Sequence, residues 1–158
     1  MQRKWLVPVI LVIVFVPGGA RFLFAQAAVP DSCSLLTPAQ VSGVLGIPVG
    51  AGQHVIKTST KLCGWSLAGS STPSPKRVML GLEVTQHFDI RKIPMQGITK
   101  VPVSGIGEDA LFMTTPGIGT GLNVKKGNLA IVIRVYGFPL EQTEAKEKLL
   151  AHDILAKM

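Results

Sequence analysis

Few side chains in this sequence could carry chemistry, and their spacing limits what they could do. The two cysteines, Cys33 and Cys63, are too far apart for the Cys-x-x-Cys arrangement of a redox pair, and a metal would need more ligands than they supply. In an oxidising compartment two such cysteines pair, and the expectation is a structural disulfide worth about 3 to 4 kcal/mol at most. His54, His87 and His152 stand far apart, none with a second ligand at metal spacing. Gly105-Ile106-Gly107-Glu108-Asp109-Ala110 fits the letters of a dinucleotide fingerprint. Its context does not: acids at Glu108 and Asp109 would face the pyrophosphate, and a strand rather than a helix follows. A glycine turn is the expectation there, with both acids solvated. There is no Gly-x-Ser-x-Gly elbow, and no cysteine nucleophile remains once the two are paired. A carboxylate pair assembled from distant residues stays open. The sequence thus points to no catalytic residue, no metal and no cofactor.

The elements that hold these residues begin with a well-signalled helix. In Leu36-Thr37-Pro38-Ala39-Gln40-Val41, Thr37 is the N-cap, Pro38 suits the first helical position, and Gln40 completes a capping box. Leu36 and Val41 form a hydrophobic staple, and Gly46 followed by Ile47-Pro48 stops the helix. Cys63, Trp65 and Leu67 alternate with Gly64, Ser66 and Ala68, which places the cysteine and the indole on one strand face, Trp65 packing over the disulfide. Gly69 to Pro75 reads as a loop. Val78, Leu80, Leu82 and Val84 then alternate as a half-buried strand. The stretch His87 to Gly107 keeps no period and reads as a connection, with a short helix near Asp89 to Ile93.

From Asp109 the pattern becomes an antiparallel meander. Ala110 to Thr114, Leu122 to Lys125 and Leu129 to Tyr136 are strands, joined by turns at Pro116 to Gly121 and Lys126-Gly127-Asn128. Leu129, Ile131, Ile133 and Val135 should face the core, with Ala130, Val132, Arg134 and Tyr136 on the other side. Pro139 opens a last helix running to about Lys157, whose apolar stripe is Leu150, Ala151, Ile154, Leu155 and Met158. It should lie across the sheet.

At the other end, Arg3 and Lys4 precede an uncharged run from Leu6 to Val16, broken by Pro17-Gly18-Gly19. This is the order of a secretory signal, and Ala25-Gln26-Ala27 offers small residues where signal peptidase cuts. Residues 1–27 are expected to be the signal and residues 28–158 a single exported domain, periplasmic or extracellular. The alternative is an uncleaved anchor, which would be the protein's only attachment to a membrane. Without Arg3, Lys4 and Arg21, 13 basic and 9 acidic residues remain. The basic ones lie in scattered doublets without interleaved aromatics, which argues against nucleic acid as a partner.

The opening Cys33-Ser34-Leu35-Leu36-Thr37, the helix end Val44-Leu45-Gly46 and the later Cys63-Gly64-Trp65 resemble a family of exported domains of unknown function common among actinobacterial envelope lipoproteins. Gly105 to Ala110 and the terminal helix are similar to that family's second half. The chain departs from it at Pro30-Asp31-Ser32, which is not a lipobox. The resemblance implies an α+β domain with a curved antiparallel sheet, similar to the PsbP-like fold, and no catalytic residues. Together with the elements above, this gives a sheet of about five to six strands with a short N-terminal helix and a C-terminal helix packed on it.

Two functional readings follow. One is a non-enzymatic exported module that binds a small apolar or anionic ligand or an envelope protein. The other is a small envelope hydrolase or catalytic accessory using Glu108 or Asp109. For the first, the expected site is a groove formed where His87 to Gly107 folds over the polar side of the last strand, with Arg134 meeting an anionic group and Tyr136 supplying contact area.

Overall fold

The computed structural model describes residues 29–69 and 75–158. The signal segment and its cleavage site therefore lie outside the described residues, as does most of the loop at 69–75. The chain is α+β, and its described residues form one open, curved antiparallel sheet of seven strands with three α-helices. In chain order the elements are α1 (Pro38–Leu45), β1 (Gln53–His54), β2 (Leu62–Ser66), β3 (Arg77–Val84), α2 (Thr85–Lys92), β4 (Thr99–Pro102), β5 (Asp109–Thr115), β6 (Gly119–Lys126), β7 (Leu129–Tyr136) and α3 (Leu140–Leu155). The strand order is β1-β2-β3-β7-β6-β5-β4. After β3 the chain crosses to the far edge and meanders back until β7 closes against β3. That crossing puts α2 on one face of the sheet, while α1 and α3 stack on the other.

Local chemistry explains the first half. Thr37 Oγ1 accepts from the Gln40 amide, the Gln40 side chain accepts from the Thr37 amide, and Gly46 ends α1 at φ 72°. The staple residues Leu36 and Val41 are buried. Cys33 and Cys63 are disulfide-bonded and tie the N-terminal segment to β2. Trp65 packs beside that bond: a Cβ added at Gly52 would lie 2.7 Å from the indole and 2.8 Å from Cys63 Sγ, so only a glycine lets the backbone cross there.

The core lies under α3. Trp65, Val78, Leu80, Leu82, Leu122, Val124, Ile131, Ile133 and Val135 meet Leu150, Ala151 and Ile154 of the helix. Burying a side chain of this size contributes about 1.5 to 3 kcal/mol. Several expectations change at the margins. Val84 is exposed because it ends β3, Leu67 because it lies one residue past β2, and Met158 is exposed beyond the last helical turn. The strand count exceeds the expected five to six because a two-residue β1 and the edge strand β4 join the sheet. The stretch 87–107 is not one connection. Its start belongs to α2, which begins at Thr85, directly off β3 with no side-chain cap, so no start signal marks it. Its later part is β4, which pairs only with β5. Pro102 is tolerated on that edge.

Candidate functional site

Because α2 crosses only part of its face, the sheet has one covered side and one half-open side. Phe88 of α2 is fully buried and packs with Leu111, Ala130 and Met113, closing the end of the sheet where β3 finishes. Toward the opposite end, where Arg77, Met79, Arg134 and Tyr136 stand side by side on β3 and β7, no helix among the described residues covers the sheet. Two hollows occupy this region among the described residues. One, of about 490 Å³, lies over β1 and β2 and is lined by His54, Val55, Gly64, Ser66 and Arg77. The other, of about 240 Å³, is lined by Leu62, Met79, Gly81, Glu83, Arg91, Val132, Arg134 and Tyr136. Met79 lines both. At the boundary the Arg77 guanidinium lies 4.3 Å from the centre of the Tyr136 ring.

The smaller hollow has the chemistry of a recognition site. Its walls are apolar at Leu62, Met79 and Val132, and its floor is open at Gly81, where the nearest atoms to an added Cβ would be Leu62 and Val132 side-chain carbons at 3.7 and 3.8 Å. Arg134 and Arg91 converge on it with one acid, Glu83, which already accepts from Arg91 Nη2 at 2.6 Å and is bonded to His87 Nδ1 at 2.9 Å. Arg91 Nη1 is buried without a protein partner. Positive charge therefore exceeds negative in a partly apolar concavity. The structure brings Arg134 and Tyr136 together with Arg91 of the 87–107 stretch. It does not place the rest of that stretch there, because after the turn at Pro94 to Gly97 the chain leaves the face for the β4 edge.

Arg134 is held by a gap in the sheet. The ladder between β6 and β7 runs from Lys126↔Leu129 to Leu122↔Ile133 and stops. Beyond it, Arg134 to Tyr136 pair only with β3, and Gly119 to Gly121 only with β5. On the open face the Arg134 stem lies over Gly121, where a Cβ would come within 3.0 Å of Arg134 Cγ. On the helix face the gap is filled by Glu147 of α3, which is fully buried and accepts the Val135 amide at 2.8 Å. Burial pushes the Glu147 carboxyl up to about 8, against the Val135 and Leu122 backbones and Arg134, which favour its ionised form. Glu147 sits within the apolar stripe of α3, and sequence reading passed over it. The signal was an acid one turn before Leu150 and Ala151, on the face that meets the sheet.

The remaining candidates fall elsewhere. His54 Nε2 lies 2.9 Å from Asp31 Oδ1, and this bond, with the Cys33 amide, holds the Asp31 carboxyl below its ordinary value. Asp31, His54 and Cys33 cluster as metal ligands do, but the Cys33 sulfur is spent in the disulfide, and two ligands fall short of the three or four a site needs. The partner of His54, Asp31, lies 23 residues away and was not visible from spacing, whereas Glu83 stands four residues before its partner His87. Glu108 is exposed and accepts from the Gly127 amide at 2.9 Å, bracing the β6–β7 hairpin. Asp109 accepts from Lys92 Nζ at 2.6 Å, which holds the Lys92 ammonium above its usual range. Gly105 and Gly107 take positive φ, and a Cβ at Gly107 would lie 2.6 Å from the Lys125 carbonyl, so this turn packs against β6 and leads into β5. No helix among the described residues is long and apolar enough to cross a membrane. No protein-family model, no curated protein and no solved structure matches the chain.

Proposed function

We propose that this is an exported, non-enzymatic binding module whose half-open sheet face receives a small anionic ligand with an apolar body. The observation that carries the reading is the convergence of Arg134 and Arg91 on a hollow walled by Leu62, Met79, Val132 and Tyr136. Arg134 supplies a fixed charge and a planar set of donors, and Tyr136 supplies contact area at low entropic cost. The charged n-region, the apolar run to Val16 and the Cys33–Cys63 bond support export. So does the resemblance to exported envelope domains.

The alternative, a hydrolase built on Glu108 or Asp109, asks for a desolvated carboxylate beside a histidine. Glu108 is engaged at a hairpin and Asp109 with Lys92, which supports the binding reading. Replacing either by Ala is expected to leave binding unchanged. The test is recovery of the protein from envelope extract, with native mass spectrometry of what stays bound to the wild type and to Arg134→Ala. A small anionic amphiphile present on the first and lost from the second supports the reading. A hydrolytic activity that disappears with Glu108→Ala or Asp109→Ala overturns it.

A further inference from the structure

The gap between β6 and β7 has a different occupant on each side. On the open face Arg134 crosses it over Gly121, and on the helix face the Glu147 carboxyl closes it, bonded to the amide of the residue next to Arg134. No β6–β7 backbone pairing separates the two at this level. Glu147 Oε2 has no hydrogen-bond partner, so a proton can be added there while Oε1 keeps the Val135 amide.

We propose that anion binding at Arg134 is coupled through this gap to proton uptake at Glu147. The inference rests on the binding reading above and names its regulation. Arg134 favours the ionised carboxylate, whereas Glu144, one turn away on α3, opposes it. An anion seated on Arg134 offsets that support, and the carboxylate takes a proton from solvent. By reciprocity, ionising Glu147 weakens the anion by the same factor. The other charged or titratable groups on the elements that pack there are Tyr136 on β7, Lys125 and Lys126 toward the far end of β6, and Glu141, Lys146, Lys148, His152 and Asp153 on α3. The α1 sequence carries no charge.

The test uses decanesulfonate below its micellar concentration, because its charge is constant with pH. Calorimetric titration of the wild type at pH 7 and pH 9 should show binding about three- to tenfold tighter at pH 7, with net proton uptake when two buffers of different ionisation heat are compared. Glu147→Gln should bind equally at both values. Independently, the carbon-13 carboxyl signal of Glu147 should titrate at a higher pH in Arg134→Gln than in the wild type, a result that needs no ligand and does not depend on the folding of the Glu147 variant. Equal binding at both pH values by the wild type overturns the coupling and leaves the groove standing. An unchanged Glu147 midpoint in Arg134→Gln also overturns it. Failure of the probe to bind at either pH overturns the groove reading together with this inference.

Discussion

The two faces of β7 divide its eight residues between opposite purposes. Leu129 is buried, and Ile131, Ile133 and Val135 pack in the core with α3, where shape and apolar area decide the outcome. Val132, Arg134 and Tyr136, one residue out of phase, stand half-exposed where α2 does not reach. The difference comes from topology rather than from the strand. A chain that must carry α2 from β3 to the far edge covers one end of the second face and leaves the other end open.

The sharpest way to break this contrast is to truncate adjacent residues. Ile133→Ala should cost about 2 to 5 kcal/mol in denaturant unfolding, whereas Val132→Ala should cost less than about 1 kcal/mol. Similar losses at the two positions would mean the open face is as tightly packed as the core. Next in size is the disulfide. Replacing Cys33 and Cys63 together by Ser should lower stability by about 3 kcal/mol, read from the same unfolding curves. The open face should keep its ligand in that variant below its unfolding transition.

Glu147 tests whether the buried side is uniformly apolar. Its folded-state value, about 8, lies above that of an unfolded glutamate, so the folded protein binds the extra proton between the two. Its contribution is fully present below about pH 4.3, falls as pH rises through about 8, and is constant above that. Unfolding free energy of the wild type should therefore decline with pH across this window relative to Glu147→Gln, by up to about 1.4 kcal/mol per pH unit. Parallel curves would mean that the carboxyl does not titrate as a buried group. The smallest effect on stability is expected from Gly121→Ala, whose added Cβ meets the flexible Arg134 stem rather than backbone. It should leave unfolding within about 1 kcal/mol of wild type while weakening anion binding severalfold, because Arg134 must move.

The sequence made the core side of the fold legible. Capping residues at Thr37 and Gln40, alternation in β3 and β7, and Gly127 at the hairpin are local signals, and each element appears where its signal stands. What it concealed was set by long-range pairing. Helix α2 has no cap, β4 owes its strand state to β5, and Asp31 reaches His54 only because the disulfide and β1 bring them together. The candidate site was half legible: Arg134 and Tyr136 stood out as the polar phase of a strong strand, but Arg91 and Met79 join them only through the strand order. Glu147 was hidden because a helical stripe is read by its apolar members, and the gap that accommodates an acid there is a property of how β6 and β7 pair, which α3's own sequence does not carry.

The division of labour between the two faces is tested most directly by methyl NMR during a decanesulfonate titration. The methyl groups of Leu62, Met79 and Val132 line the open hollow, while those of Leu80, Ile133 and Val135 lie in the core on two of the same strands, β3 and β7. Shifts confined to the first set and abolished in Arg134→Ala are the predicted result. Shifts confined to the core set, or an unchanged pattern in Arg134→Ala, would contradict the assignment of the open face as the working surface.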